Sequence, residues 1–107
     1  MSVPSGEEVS KTERKILHEK VGSPFKIRFW EDRTRGSRWT PSFDVSALKL
    51  IGDDYQRTID IRVADTGMRT FEFLPLKPGS HEIYFELRYG WKFTAENRLF
   101  YLVDVSP

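Results

Sequence analysis

The 107-residue sequence contains no cysteine, which excludes disulfide bonds, thiol catalysis and thiolate metal sites. Histidine is scarce as well, because only His18 and His81 are present and neither belongs to a metal-ligand motif such as H-E-x-x-H. We interpret both as polar strand residues and expect no metal and no other cofactor. The sequence also lacks a nucleophile elbow and a glycine-rich phosphate loop, so we do not expect an enzyme.

Long apolar runs and an excess of one charge are missing too. No stretch approaches the roughly 20 apolar residues that a membrane helix needs. The net charge of +1 is less basic than is usual for a dedicated nucleic-acid domain, so we expect neither a membrane nor nucleic acid as partner. The segment Met1–Lys20 has no apolar h-region of a signal peptide. We expect a monomer that is cytoplasmic as given, or secreted or periplasmic if a leader has been removed.

Aromatic residues, in contrast, make up 14% of the chain, and many of them stand in alternating patterns. Phe25, Ile27 and Phe29 alternate with Lys26 and Arg28, which is the period-two signature of a half-buried strand. Similar runs have their apolar positions at Ile59, Ile61 and Val63; at Phe71 and Phe73; at Ile83, Phe85 and Leu87; and at Leu99, Tyr101, Val103 and Val105.

The N-terminal part of the chain gives a weaker pattern. Residues 1–13 are polar and without periodicity, so we interpret them as a flexible tail before one domain that spans 14–107. Lys15–His18 begins a first strand in this interpretation. A short helix over Glu7–Glu19 is the alternative, but its apolar face is poor.

Turn signals separate the remaining runs. We expect a loop over Glu31–Ser37, an extended run at Arg38–Thr40, and a weak apolar segment, Val45–Ile51, that closes at a solvated turn, Gly52–Asp54. A further turn is expected at Ala64–Gly67. About seven short strands without a long intervening helix predict an all-β fold, namely an immunoglobulin-like antiparallel β-sandwich.

The residue types most common at binding hot spots fall near the predicted loop ends. They are Trp30, Trp39, Tyr89 and Trp91, with Arg33, Arg35 and Arg38 in the first loop. We interpret Trp39 as a buried core tryptophan of the sandwich and Trp91 as an exposed contact residue. Arginine beside aromatic residues also suits stacking on bases, so a nucleic-acid or glycan binder stays an alternative.

Three of these loops, taken together, resemble the chagasin family of cysteine-protease inhibitors in their order and spacing. They read Asp32-Arg33-Thr34-Arg35-Gly36-Ser37-Arg38-Trp39, then Ala64-Asp65-Thr66-Gly67, then Arg88-Tyr89-Gly90-Trp91. The family pattern is N-P-T-T-G-x-x-W, then G-x-G-G, then R-P-W, on an immunoglobulin-like sandwich. The resemblance extends from about Val21 to Val105.

This resemblance implies a reversible inhibitor whose three loops enter the active-site cleft of a papain-like cysteine protease. Thr34 would approach the catalytic dyad, the loop of Gly67 would follow the unprimed side, and Trp91 would pack on the primed side. The implied partner-binding residues are Asp32, Arg33, Thr34, Arg35, Gly36, Asp65, Thr66, Gly67, Tyr89, Gly90 and Trp91.

The loops also depart from the family pattern. Asp32, Arg33 and Arg35 replace its asparagine, proline and second threonine, while Tyr89 and Gly90 replace the arginine and proline of the third loop. Loss of proline removes preorganisation, which is a large part of tight inhibition. The alternative function is therefore a non-inhibitory interaction module that binds another protein through the same three loops.

Overall fold

The computed structural model describes residues 12–33, 36–58, 66–89 and 97–107, which form seven strands in two sheets. The strands are β1 (Thr12–Lys20), β2 (Phe25–Asp32), β3 (Ser37–Phe43), β4 (Leu48–Arg57), β5 (Thr66–Pro75), β6 (Gly79–Tyr89) and β7 (Asn97–Ser106). A four-stranded sheet has the order β1-β7-β6-β3, and a three-stranded sheet has the order β2-β5-β4. The predicted all-β sandwich is confirmed, although β1 pairs with β7 in parallel.

The period-two patterns place the core between the two sheets. Phe71, Phe73 and Phe85 have no exposed surface, and Phe29 lies among them with its ring 4.6 Å from that of Phe85 and 4.7 Å from that of Trp39. Trp39 is only 7% exposed, so its interpretation as a buried core residue is correct. Burying an aromatic side chain contributes about 2 kcal/mol or more, which makes this aromatic cluster the main source of stability.

The first strand is longer than the sequence predicts. It begins at Thr12 and extends to Lys20, so the helical alternative is wrong over this range, and residues 1–11 lie outside the described residues. Leu17 packs against the core, whereas Ile16 is 59% exposed on the outer face. The pattern was weak because β1 is an edge strand that contributes little to the core.

The expected turn at Gly52–Asp54 is also wrong, because β4 continues through it to Arg57. A bulge between Leu50 and Gly52 shifts the register there, which lets a turn-like sequence stay in the sheet. The observed turn lies earlier, where Asp44 Oδ1 accepts hydrogen bonds from Ser46 N at 2.9 Å and Ser46 Oγ at 2.7 Å. The strand predicted at Ile59–Val63 lies outside the described residues.

Between Thr12 and Pro107, the described residues include no helix that is long and apolar enough to cross a membrane. His18 and His81 lie in β1 and β6, as expected of polar strand residues. His81 Nε2 lies 2.9 Å from the carbonyl oxygen of Lys77, and this contact closes the turn between β5 and β6.

Candidate functional site

The strand register of the three-stranded sheet brings the first and second predicted loops to one end of the sandwich. Asp32 at the end of β2 pairs with Thr66 at the start of β5, and Arg57 at the end of β4 pairs with the neighbouring Gly67. The segment 59–65, which connects β4 to β5, therefore begins and ends beside the exit of β2.

The four-stranded sheet brings the third loop to the same end. Ser37 at the start of β3 pairs with Tyr89 at the end of β6, and Asn97 at the start of β7 pairs with Leu87. Ser37 Oγ donates a 2.5 Å hydrogen bond to the Asp32 carbonyl oxygen, which joins the ends of the two sheets. The segments 34–35, 59–65 and 90–96 thus all begin and end at one end of the sandwich, which we call the loop end.

The described ends of the first loop form a closed link. Gly36 N donates a 3.0 Å hydrogen bond to the Arg33 carbonyl oxygen. Gly36 has a φ of +77°, which a residue with a side chain adopts only at a cost, so glycine is required here. The loop is also shorter than predicted, because Glu31 and Asp32 belong to β2 and Ser37 belongs to β3. Thr34 and Arg35 lie outside the described residues.

A buried carboxylate lies beneath this link. Glu31 is only 1% exposed, and its Oε1 accepts hydrogen bonds from Trp39 N at 2.8 Å and from Arg69 Nη1 at 2.9 Å. Its Oε2 accepts a 2.7 Å hydrogen bond from Arg33 Nε. Glu31 thereby holds both arms of the first loop, because Arg33 precedes the link and Trp39 follows it. Two arginines balance its charge, as burial of a carboxylate requires.

Arg33, one of the partner-binding residues that the resemblance implies, is held by contacts within the domain. Its guanidinium lies 3.7 Å from the centroid of the Tyr55 ring, and its side chain is 22% exposed. The ion pair with Glu31 fixes one side of the guanidinium, and stacking on Tyr55 of β4 fixes a face of it. The positive charge of Arg33 is therefore largely neutralised within the domain by Glu31.

A second ion pair supports the first. The guanidinium of Arg69 binds both oxygens of Asp53, with Nε to Oδ1 at 2.5 Å and Nη2 to Oδ2 at 2.9 Å. These hydrogen bonds hold the pKa of Asp53 below its ordinary value, against the opposing effect of partial burial. The same bonds, followed by the charges of Glu31 and Asp53, raise the pKa of Arg69. Asp53 is therefore an ion-pair residue of β4 and not part of a solvated turn.

Two residues of the predicted second loop lie within β5 instead. Thr66 is 8% exposed and Gly67 is buried, so neither presents a side chain to a partner. The backbone of Thr58 and its hydroxyl both donate to the Thr66 carbonyl oxygen, at 2.8 and 3.0 Å, which closes the base of the 59–65 segment. Asp65 and the rest of that segment lie outside the described residues, so contact with a partner there stays a prediction.

Of the third loop, the structure describes only its entrance. Tyr89 is half-buried at the end of β6, while Gly90 and Trp91 lie outside the described residues. Trp30, which was predicted near a loop end, is a strand residue of β2 and is 55% exposed on the outer face. Its carbonyl oxygen accepts a 3.1 Å hydrogen bond from Trp39 Nε1, so the two tryptophans play different roles: one is core and one is surface.

The sequence interpretation missed Glu31 and Arg69, and a signal for both was present. Glu31 follows Phe25, Ile27 and Phe29 at the next inward-facing position of β2, and Arg69 takes the inward-facing position of β5 before Phe71. The register pairs Arg69 with Phe29, so Glu31 and Arg69 are diagonal neighbours on the two strands. An acidic and a basic residue on the inward face of two adjacent strands predict a buried ion pair.

None of the described residues form a group of three or more histidine, aspartate or glutamate side chains that could hold a metal ion. What the described part of the chain builds at the loop end is a rigid base beneath three connecting segments.

Comparison with known proteins identifies the architecture. The model of the chagasin family peptidase inhibitors, I42, matches residues 19–105. A search of curated proteins finds no match to this chain.

Three solved structures share the fold. The cysteine protease inhibitor EhICP2 from Entamoeba histolytica superposes with a TM-score of 0.77 at 18% identity, covering 89% of this chain and 94% of that one. Amebosin gives a TM-score of 0.68 at 17% identity, with 88% and 98% covered. PbICP-C, solved in complex with falcipain-2, gives 0.63 at 11% identity, with 89% and 88% covered. Identities this low establish a common fold and not a common target.

Proposed function

Since this chain belongs to the chagasin family of peptidase inhibitors, I42, we propose that it reversibly inhibits a papain-like cysteine protease with its loop end. In this proposal the segments 34–35, 59–65 and 90–96 enter the active-site cleft side by side. The observation that carries the proposal is the strand register, which makes all three segments begin and end at one end of the sandwich. The chain acts as an inhibitor, not as an enzyme.

Inhibition by this geometry is a matter of occupancy. Three segments anchored on the sandwich fill the cleft and exclude substrate. Affinity is higher when the segments are already ordered in the free domain, because less conformational entropy is then lost on binding. Thr34, in the first segment, is proposed to face the catalytic dyad. Trp91 is proposed to pack on the primed side, with the Asp65 segment on the unprimed side.

The structural relatives support this choice of target class. One of them is a cysteine protease inhibitor by its description, and another was solved bound to falcipain-2. The departure at Arg33 is less disruptive than the sequence indicates, because Arg33 is held within the domain by Glu31 and Tyr55. The loop end therefore carries less free positive charge than a count of its arginines gives.

The test is a titration of papain and of a cathepsin-L-like enzyme with the purified domain, following hydrolysis of a fluorogenic peptide. We expect reversible inhibition at nanomolar concentration, and we expect Thr34→Ala and Trp91→Ala each to weaken it by about tenfold or more, as hot-spot truncation does. Thr40→Ala and Trp30→Ala are matched controls, because they make the same changes at exposed strand positions away from the three segments.

The outcomes separate the two candidate functions. If the domain is folded and inhibits neither enzyme at micromolar concentration, the proposed function is wrong, and the alternative of a non-inhibitory interaction module applies. If inhibition is strong but the Thr34 and Trp91 variants equal the wild type, the function stands and the site assignment fails.

A further inference from the structure

We propose that Glu31 is a positioning residue, which holds the first loop in its binding conformation through Arg33 before any peptidase is bound. This inference rests on the proposed function and adds to it a residue that never contacts the peptidase. It replaces the expectation that loss of the family proline leaves the first loop without preorganisation, because Arg33, at that proline position, is held by side-chain contacts instead.

The geometry of the carboxylate carries the argument. Its two oxygens divide between the two arms of the loop, with Oε2 accepting from Arg33 Nε at 2.7 Å and Oε1 accepting from Trp39 N at 2.8 Å. Between these arms, Gly36 N and Ser37 Oγ donate to the carbonyl oxygens of Arg33 and Asp32. One buried side chain therefore ties together the strand that enters the loop and the strand that leaves it.

The position of Glu31 in its strand points to a role beyond stability. The inward-facing residues before it on β2 are Phe25, Ile27 and Phe29, and an apolar residue there would avoid the desolvation of a carboxylate. Retaining a buried charge at such a position defines one specific arrangement of its partners. Here the partners are a loop residue, Arg33, and the anchor residue Arg69 of β5.

Tyr55 makes the second contact that restrains the Arg33 side chain. The Arg33 guanidinium lies 3.7 Å from the centroid of its ring, while Arg33 Nε is bonded to Glu31. A planar group that is fixed by an ion pair along its edge and by stacking on its face has few alternative rotamers. The backbone of Arg33, which immediately precedes the 34–35 segment, is thereby restrained by side-chain contacts, whereas proline would restrain it by fixing φ.

The first arm of the experiment needs no peptidase. Amide hydrogen exchange of Gly36 is followed by NMR in the free domain, because this amide donates to the Arg33 carbonyl oxygen. Glu31→Gln and Arg33→Ala are expected to accelerate its exchange by about tenfold, since each removes a charge-assisted hydrogen bond. Glu86→Gln is the matched control, because Glu86 also binds two arginines, Arg88 and Arg98, but does so on the outer face of the other sheet.

The second arm measures inhibition. Glu31→Gln and Arg33→Ala should each raise the inhibition constant by about tenfold, and the double variant should be no weaker than either single variant, because both remove the same restraint. Glu86→Gln should inhibit like the wild type. Thermal unfolding of each variant ensures that the assay is run far below its transition.

A rescue variant separates positioning from general destabilisation. Arg33→Pro in the Glu31→Gln background should recover most of the lost inhibition, because proline fixes φ near −65° and Asp32 before it is in the extended conformation that proline favours. Failure to recover would show that the Arg33 side chain itself contacts the peptidase, and the positioning role would be refuted.

The two arms distinguish this inference from the proposed function. If the wild type inhibits no peptidase but Gly36 exchange accelerates only in the Glu31 and Arg33 variants, positioning holds and the proposed target class fails. If Gly36 exchange is unchanged in Glu31→Gln, positioning is refuted whatever the inhibition assay gives.

Discussion

Gly67→Ala tests whether a glycine of the second predicted loop serves binding or packing. Gly67 lies in β5 between Glu31 on β2 and Arg57 on β4. A Cβ built on it would overlap the Gln56 carbonyl oxygen and lie 2.8 Å from the Arg57 Cα. Both neighbours are backbone atoms of a paired strand, so relief requires β4 to move away from β5.

We expect this substitution to destabilise the fold by about 3 kcal/mol, which is the upper part of the range for an overpacked site. For a domain of roughly this size, each kcal/mol lowers the melting temperature by about 4–8 °C. Urea unfolding followed by tryptophan fluorescence measures the change. Residual inhibition should fall only in proportion to the unfolded fraction, because Gly67 has no side chain to contact a peptidase.

Gly36→Ala is the control, because its destabilisation comes from backbone strain and not from a steric clash. Gly36 has a φ of +77° and no atom within 4 Å of a built Cβ, so the added methyl meets torsional strain and no clash. Its expected cost is about 1 kcal/mol. The steric argument is refuted if Gly67→Ala unfolds at the wild-type urea concentration, or if it weakens inhibition strongly while its stability is unchanged.

Two further predictions concern the core and the acid sensitivity of the fold. Phe85→Ala removes a side chain with no exposed surface and should lower the free energy of unfolding by about 3–5 kcal/mol. Urea unfolding measures this change, and a loss under about 1 kcal/mol would contradict the aromatic cluster described above. Asp53 has a lowered pKa in the fold, so its ion pair with Arg69 stabilises above the unfolded-state pKa near 4, and this contribution is lost as the pH falls through the folded pKa. Asp53→Asn should therefore cost under about 1 kcal/mol at pH 7, because the carboxylate is partly solvated, and progressively less as the pH falls through the folded pKa; a cost that does not change with pH in urea titrations would refute this.

The strands that the sequence predicts well are those with a strict two-residue period. In β2, Phe25, Ile27 and Phe29 face the core, and the same parity holds for Ile83 and Phe85 in β6. Burial on one face imposes this period directly, so local sequence is enough to find these strands.

The continuation of β4 beyond Ile51 was not predicted, because it depends on a distant residue. Gly52-Asp53-Asp54 has the composition of a turn, and local propensity favours one there. The carboxylate of Asp53 is instead neutralised by Arg69 of β5, 16 positions along the chain. The bulge between Leu50 and Gly52 accommodates the glycine within the strand. Pairing between strands overrides a local preference in a way that no window of neighbouring residues reveals.

The candidate site was likewise predicted only in part. The order of the loop motifs predicts which segments meet a partner, and the register brings the ends of these segments together. The base of the site was not predicted, since the sequence analysis placed both Glu31 and Arg33 in the first loop. Only the parity of Glu31 with Phe29, and of Arg69 with Phe71, marks them as inward-facing.

The division between base and segments also explains how the loop motifs diverge while the fold persists. The bonds that close the loop end join residues on the strand side of the first two segments: Arg33 to Gly36 and Asp32 to Ser37 for the first, and Thr58 to Thr66 for the second. Substitutions within 34–35, 59–65 or 90–96 leave these bonds intact. Substitutions at Arg35 or Gly90 therefore remove none of the described contacts that close the loop end. The departures from the family pattern at these two positions are therefore compatible with an intact base of the loop end.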